Sequence, residues 1–314
     1  EVYHPRYLLI PKITMLIHGF SMFLGSIRTV QALKKKYDFD IIDAHFIYPD
    51  GFAAVLLSRF TGKPLVVSAL GSDIHEFSKF KFIRPMIRRT LKSANRVVSV
   101  CDALKQHMVG FGIPGSKIDV IPSGVDTKRF CPMEKDEARK KLGIPLDRTL
   151  ILSVGSLVEL KGFQTILATL PKLVNKNHRL SFYIVGDGPF KSELYRIIKS
   201  LNIDDSVYMV GQRPNHELAL WYNASDIFCL ASFREGWPNV VMEALACGTP
   251  VVATRVFGTP EIITSPKLGI LVEPNAESIG KGLLKAMITK WDRQAIADSM
   301  KNKTWHHIAR EIQS

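Results

Sequence analysis

Short continuous apolar runs alternate along the chain with stretches of helical spacing. In the first part, runs at 40–44, 65–69, 97–100 and 118–121 read as buried strands, and 27–37, 52–60 and 103–110 read as helices. In the second part, strands are expected at 149–154, 180–185, 207–210, 226–230, 251–254 and 269–272, and helices at 163–175, 191–201, 216–223, 239–247 and 277–290. Residues 1–13 read as irregular loop. Strands alternating with helices predict parallel α/β sheets. The charged stretch 127–148 is flanked by prolines and is expected to be an interdomain linker. The expected domains are therefore 1–126, with only four strands and so incomplete, and 149–314, with the six strands of a complete Rossmann-like unit.

Composition adds little to the pattern and charge adds more. A length of 314 residues with 46% hydrophobic side chains fits about two globular domains. No apolar run reaches the roughly 18 residues of a spanning helix. Cys101, Cys131, Cys229 and Cys247 are widely spaced with no CxxC pair, which points to reduced thiols in a cytosolic protein rather than to zinc. The net charge is +13, and Lys79, Lys81, Arg84, Arg88, Arg89, Lys92 and Arg96 lie together with no acid among them. Phe80, Ile83, Met86, Ile87 and Leu91 are interleaved at helical spacing. A basic amphipathic helix on anionic lipid is one reading; a solvated helix face whose apolar side packs on its own domain is the other. No nucleic-acid motif accompanies the charge, so no nucleic-acid partner is expected.

Candidate chemistry falls just after strands, the edge where open α/β sheets bind ligands. The centre is the stretch containing Glu235, Gly236, Trp237, Pro238, Asn239, Val240 and Glu243, read as a turn entering a short helix. Pro238 suits a first helical turn. Free N–H groups at that helix start suit phosphate, and carboxylates suit sugar and ribose hydroxyls, so the two together point to a nucleotide sugar. Gly155 and Ser156 lead to Lys161 beside a glycine at a helix start, where an ammonium can meet a diphosphate or simply stand in a solvated loop. Gly186 and Asp187 open a compact turn that is also the form of an ordinary βα connection. Arg213, after the third strand of this part, could cover a base or stand in an ordinary βα turn. His45 ends a strand and is either a ligand contact or structural. Asp73, after Gly71, is either a base or a helix cap.

These segments resemble the family 4 retaining glycosyltransferases of GT-B fold. The resemblance rests on Val154-Gly155-Ser156 to Lys161-Gly162, on Val185-Gly186-Asp187-Gly188-Pro189, on Ser232-Phe233-Arg234-Glu235-Gly236-Trp237-Pro238, and on Met242-Glu243-Ala244 through Thr254. The interdomain segment Pro122-Ser123-Gly124-Val125-Asp126, Ala44-His45-Phe46 and Gly71-Ser72-Asp73 also match. Tyr48-Pro49-Asp50-Gly51 resembles the subgroup that makes bacterial cell-surface polysaccharides, including the teichuronic-acid type.

The resemblance implies two Rossmann-like domains facing across a cleft. It implies Glu243 on the donor ribose, Glu235 on the transferred sugar, and Lys161 with the N–H groups after Glu235 on the leaving diphosphate. It places His45 on the sugar from the other domain, with Gly71 and Asp73 on the acceptor side. No metal and no cofactor is implied beyond a UDP- or GDP-type sugar as co-substrate, and no Asp-x-Asp metal motif stands in a suitable place. The family's usual arginine beside Gly155 is Ser156 here, so the phosphate clamp is expected to rest more on Lys161 and backbone. The family's first strand and its glycine-rich loop do not precede Glu1, so the first domain is expected to be N-terminally truncated.

The expected function is a retaining glycosyltransferase that moves a sugar to a glycan or lipid-linked acceptor. Its expected place is the cytoplasm or the inner membrane face. The alternatives are a nucleotide-sugar epimerase or glycogen-type synthase on the same architecture, and a non-catalytic nucleotide-sugar or membrane-binding module.

Overall fold

The structure, a computed structural model, describes residues 1–10 and 15–313. The expected loop at 1–13 is irregular over residues 1–10, and 11–14 lie outside the described residues. The chain divides into two compact units, Glu1–Pro122 and Ser123–Ser314.

The first unit holds a parallel sheet of β1 (Ile42–His45), β2 (Leu65–Ala69), β3 (Arg96–Ser99) and β4 (Ile118–Val120), in that order. Its first helix, His18–Tyr37, begins well before the expected residue 27. Phe20 and Leu24 are exposed on the early turns, so the alternation that reveals a helix in sequence is blurred there. The basic stretch 79–96 is not one helix. A 3₁₀ turn at Phe77–Lys79 and the link 80–83 precede a helix that covers only Arg84–Ser93. Ile83, Ile87 and Leu91 are fully buried, so the apolar side of that helix packs on its own unit and is not offered to lipid. Phe80 and Phe82 remain outside, 49% and 69% exposed.

The second unit holds a six-stranded sheet. Its strands are β5 (Thr149–Val154), β6 (Leu180–Val185), β7 (Val207–Gly211), β8 (Ile227–Leu230), β9 (Val251–Thr254) and β10 (Gly269–Val272). The order is β10-β9-β8-β5-β6-β7, all parallel, with β5 beside β8 through Ile151↔Ile227 and Leu152↔Phe228. The order reverses between β5 and β8, which is the switch point where doubly wound sheets bind ligands. Buried side chains cover both faces, Leu150, Leu152 and Phe228 on one and Ile151, Phe182 and Val252 on the other, and this explains the unbroken apolar runs. The helix expected at 163–175 is two, Phe163–Leu167 and Leu170–Lys176. Pro171 sits in the first turn of the second, where its missing N–H costs nothing, but it cannot continue the first.

The stretch 127–148 is part of the second unit rather than a linker. Its helix Lys135–Leu142 is charged on the outside, yet Ala138 and Arg139 are buried. Arg139 donates to the carbonyls of Ala224, Leu146 and Arg148 and, at 2.7 Å, to Asp226 Oδ2, while Lys135 reaches Asp226 Oδ1 at 2.8 Å. Residues 123–126 also join this unit, through Val125 N–H to the Lys303 carbonyl at 2.9 Å.

Candidate active site

The four loops after β5, β6, β7 and β8 are stitched to one another by backbone. Gly155 N–H donates to Val185, Leu157 N–H to Asp187, Gly186 N–H to Gly211 and Phe233 N–H to Leu160, each at 2.9–3.0 Å. Two glycines permit the approach. A Cβ on Gly186 would stand 1.9 Å from the Gly155 oxygen. One on Gly162, at φ 69°, would stand 2.0 Å from the Ala231 oxygen. Gly155, Ser156, Gly186, Asp187 and Arg213 therefore converge on one cavity of about 240 Å³, completed by Val154, Val185, Gln212 and Leu218. Asp187 is partly engaged already: it accepts from Lys191 Nζ at 3.0 Å and from Gly188 N–H, and the Lys191 bond holds its carboxyl below the usual range.

Closing the Lys161 loop onto the Glu235 loop creates the most specific contact of the site. Lys161 Nζ lies 2.7 Å from Glu235 Oε1, with the two side chains 27% and 9% exposed. The same oxygen accepts from Ser232 Oγ at 2.6 Å. Ser232 is fully buried, and its carbonyl accepts from Thr254 Oγ1 at 2.6 Å, which anchors the Glu235 loop to the end of β9. Gly236, Trp237 and Pro238 then lead into the helix Asn239–Ala246. Asn239 and Val240 occupy its first turn, where backbone N–H groups lack intrahelical acceptors. Glu243 lies one turn on, and its Oε2 accepts from Tyr222 OH at 2.7 Å. Burial pushes the Glu243 carboxyl above its ordinary value, against the pull of the Tyr222 hydrogen bond and the Arg129 charge.

Neither Ser232 nor Tyr222 was singled out by sequence. Ser232 has a faint signal, a hydroxyl three residues ahead of a carboxylate. Tyr222 has none, because it is 21 positions from Glu243 with strand β8 between them.

The remaining predicted residues lie in the first unit. His45 ends β1 with its side chain 66% exposed, 3.3 Å from Asp43 Oδ2. Asp73 is fully buried and accepts the backbone N–H groups of Ile47, Leu70 and Gly71 at 2.8–3.3 Å. That is a loop-anchoring role: the carboxylate ties the segment after β1 to the one after β2, and Gly71, at φ 127°, provides the turn. A base would need an approach that this burial denies. A larger cavity, about 400 Å³, opens at the amino ends of β5, β8 and β9 beside Lys135, Arg139, Arg148, Asp226 and Arg293. It belongs to the ion cluster that holds the 127–148 segment, at the opposite edge from the loops.

A family described as glycosyl transferases group 1 matches residues 134–303, and one described as glycosyltransferase family 4 matches residues 4–129. The chain belongs to the group 1 glycosyl transferases. Over 298 residues it is 30% identical to a Bacillus subtilis protein named as a teichuronic acid biosynthesis glycosyltransferase, covering 94% of this chain and 72% of that protein. It is 30% identical over 275 residues to a D-inositol 3-phosphate glycosyltransferase of Streptosporangium roseum, covering 80% of this chain and 62% of the relative. Among solved structures, the sucrose-phosphate synthase of Thermosynechococcus elongatus matches 97% of the chain and 79% of its own, with a TM-score of 0.82 at 20% identity. Anabaena HepE in complex with UDP matches with a TM-score of 0.80 at 19% identity, covering 92% of this chain and 82% of that one. The fold is that of the GT-B glycosyltransferases, two parallel-sheet Rossmann-like units.

Proposed function

We propose that this group 1 glycosyl transferase is a retaining, metal-independent enzyme. It moves a sugar from a UDP- or GDP-type donor to a glycan or lipid-linked acceptor in cell-surface polysaccharide synthesis. The observation that carries the reading is the Lys161–Glu235 pair, held by Ser232 at the switch point of the sheet. An ammonium has three donors, and Glu235 takes one of Lys161's, leaving two for a diphosphate. With the N–H groups around Asn239 and Val240, this places positive charge where a leaving diphosphate gathers negative charge, which lowers the barrier to bond breaking. A divalent cation would do the same work, so lysine and helix N–H groups support the metal-independent reading. The second oxygen of Glu235 is left for sugar hydroxyls, and Glu243 for the ribose. The family resemblance assigns His45 to the transferred sugar. The retaining outcome and the polysaccharide role are carried by the family resemblance and by the names of the relatives.

We place the protein in the cytoplasm, in part at the inner membrane face. Among the described residues no helix is long and apolar enough to cross a membrane. Two exposed phenylalanines, Phe80 and Phe82, stand among the exposed cations Lys81, Arg84, Arg88, Arg89 and Lys92. Aromatic rings beside uncompensated cations suit an anionic lipid surface.

Calorimetric titration of the full-length protein with UDP and GDP tests the donor reading. One of the two is expected to bind, and Lys161→Ala is expected to weaken it roughly tenfold or more by removing a charge-assisted contact. Failure to bind either diphosphate overturns the proposal.

A further inference from the structure

Both glutamates of the site are held through one oxygen by a buried hydroxyl. For Glu235 the lysine already explains the restraint. For Glu243 the hydroxyl stands alone, and it is built into the core. The Tyr222 ring is fully buried, edge-on to Phe130 and Phe228 at 5.9 and 5.5 Å, and its carbonyl accepts from Thr249 Oγ1 at 2.7 Å. The phenol therefore has one place to point, and the 2.7 Å bond to Glu243 Oε2 fixes the carboxylate in turn.

We infer that Tyr222 is a positioning residue for the donor: by holding Oε2 of Glu243 it presents Oε1, in one orientation, to the ribose hydroxyls. The inference rests on the reading of Glu243 as a donor ligand. A glutamate on a helix has three side-chain torsions, and a ligand that must order them itself binds more weakly than one that finds them ordered. The bond also favours the ionised carboxylate, the form that accepts hydroxyls on both oxygens. The charged or titratable groups facing Glu243 are Arg129, Tyr222 and Cys247. Burial raises Glu243 while Tyr222 and Arg129 lower it, so loss of the phenol hydroxyl moves its titration upward.

The test is UDP titration of the intact protein from acidic to neutral pH, or GDP titration if that is the diphosphate bound. Wild type, Tyr222→Phe and Glu243→Gln are compared, with thermal melts alongside. In wild type, affinity is expected to fall as pH drops through the Glu243 titration. In Tyr222→Phe it falls roughly tenfold at neutral pH, the measure of a hydrogen bond to a charged group, and its pH midpoint moves up. Glu243→Gln loses both affinity and the pH step. A Tyr222→Phe protein with a lower melting temperature but unchanged affinity and midpoint overturns the inference and leaves the donor reading standing. Glu243→Gln that binds like wild type overturns both. If Tyr222→Phe does not fold, Glu243→Asp, which keeps the carboxylate but withdraws it from the phenol, must bind the diphosphate more weakly at neutral pH; wild-type affinity in that variant overturns the inference.

Discussion

Lys161 and Glu235 are 74 positions apart in the chain and 2.7 Å apart in space. Each residue was legible in the sequence as a type suited to a diphosphate or a sugar; their contact was not, because it depends on how closely two loops can approach. Gly162 decides that approach, since any Cβ there would meet the Ala231 oxygen at 2.0 Å. Gly162→Ala is therefore expected to separate the pair. It should destabilise the fold by more than about 1 kcal/mol and abolish diphosphate binding, as measured by denaturation and calorimetry. Shared contact also makes the pair non-additive. A double-mutant cycle of Lys161→Ala and Glu235→Gln should give a coupling energy of about 0.5–3 kcal/mol in diphosphate binding, and additive losses would show that the two act separately. Asp73 shows the opposite outcome. Its motif singled it out as a base or a cap, and burial under three backbone N–H groups makes it an anchor for two loops.

Elements were legible where apolar runs are continuous. The strands at Thr149–Val154, Leu180–Val185, Val251–Thr254 and Gly269–Val272 fall where the pattern put them, because a strand covered on both faces shows no alternation to misread. The helix Lys135–Leu142 was hidden by its charge. Arg139 and Lys135 in contact with Asp226 reveal that it belongs to the second unit, and a buried guanidinium is invisible to a hydropathy pattern. Removing it leaves three carbonyls without this donor while Asp226 keeps Lys135 and the Leu150 N–H, so Arg139→Ala is expected to destabilise by about 1–3 kcal/mol in urea denaturation. The basic segment was legible as basic but not in its geometry. Its helix turns the apolar residues inward and leaves Phe80 and Phe82 outside. Binding to vesicles of anionic lipid should therefore fall with salt. It should fall also in a protein carrying Phe80→Ser and Phe82→Ser, whereas Met86→Ser, half-buried on the helix, should leave it unchanged.

At the scale of the whole molecule, every residue assigned to the donor's ribose and diphosphate lies within the unit Ser123–Ser314, which has its own six-stranded sheet and core. Expressed alone, residues 123–314 are expected to unfold in one transition and to bind the diphosphate, while transfer is lost with His45 and the first unit. Loss of diphosphate binding in a folded fragment would place part of the donor site elsewhere. A net charge of +13 is a property of the whole surface and bears on anionic partners, not on the fold.

The class of architecture, the order of the elements and the sheet edge where the candidate loops gather were all readable from the chain. Those follow from local periodicity and from where glycines and polar residues interrupt it. The resemblance carried by the loops pointed to the family. Which side chains meet came from the folded chain: Ser232 and Lys161 on Glu235, Tyr222 on Glu243, Arg139 on Asp226, and three backbone N–H groups on Asp73. These contacts join residues distant in the chain through strand order and close backbone packing, and neither is written in the spacing of any one segment.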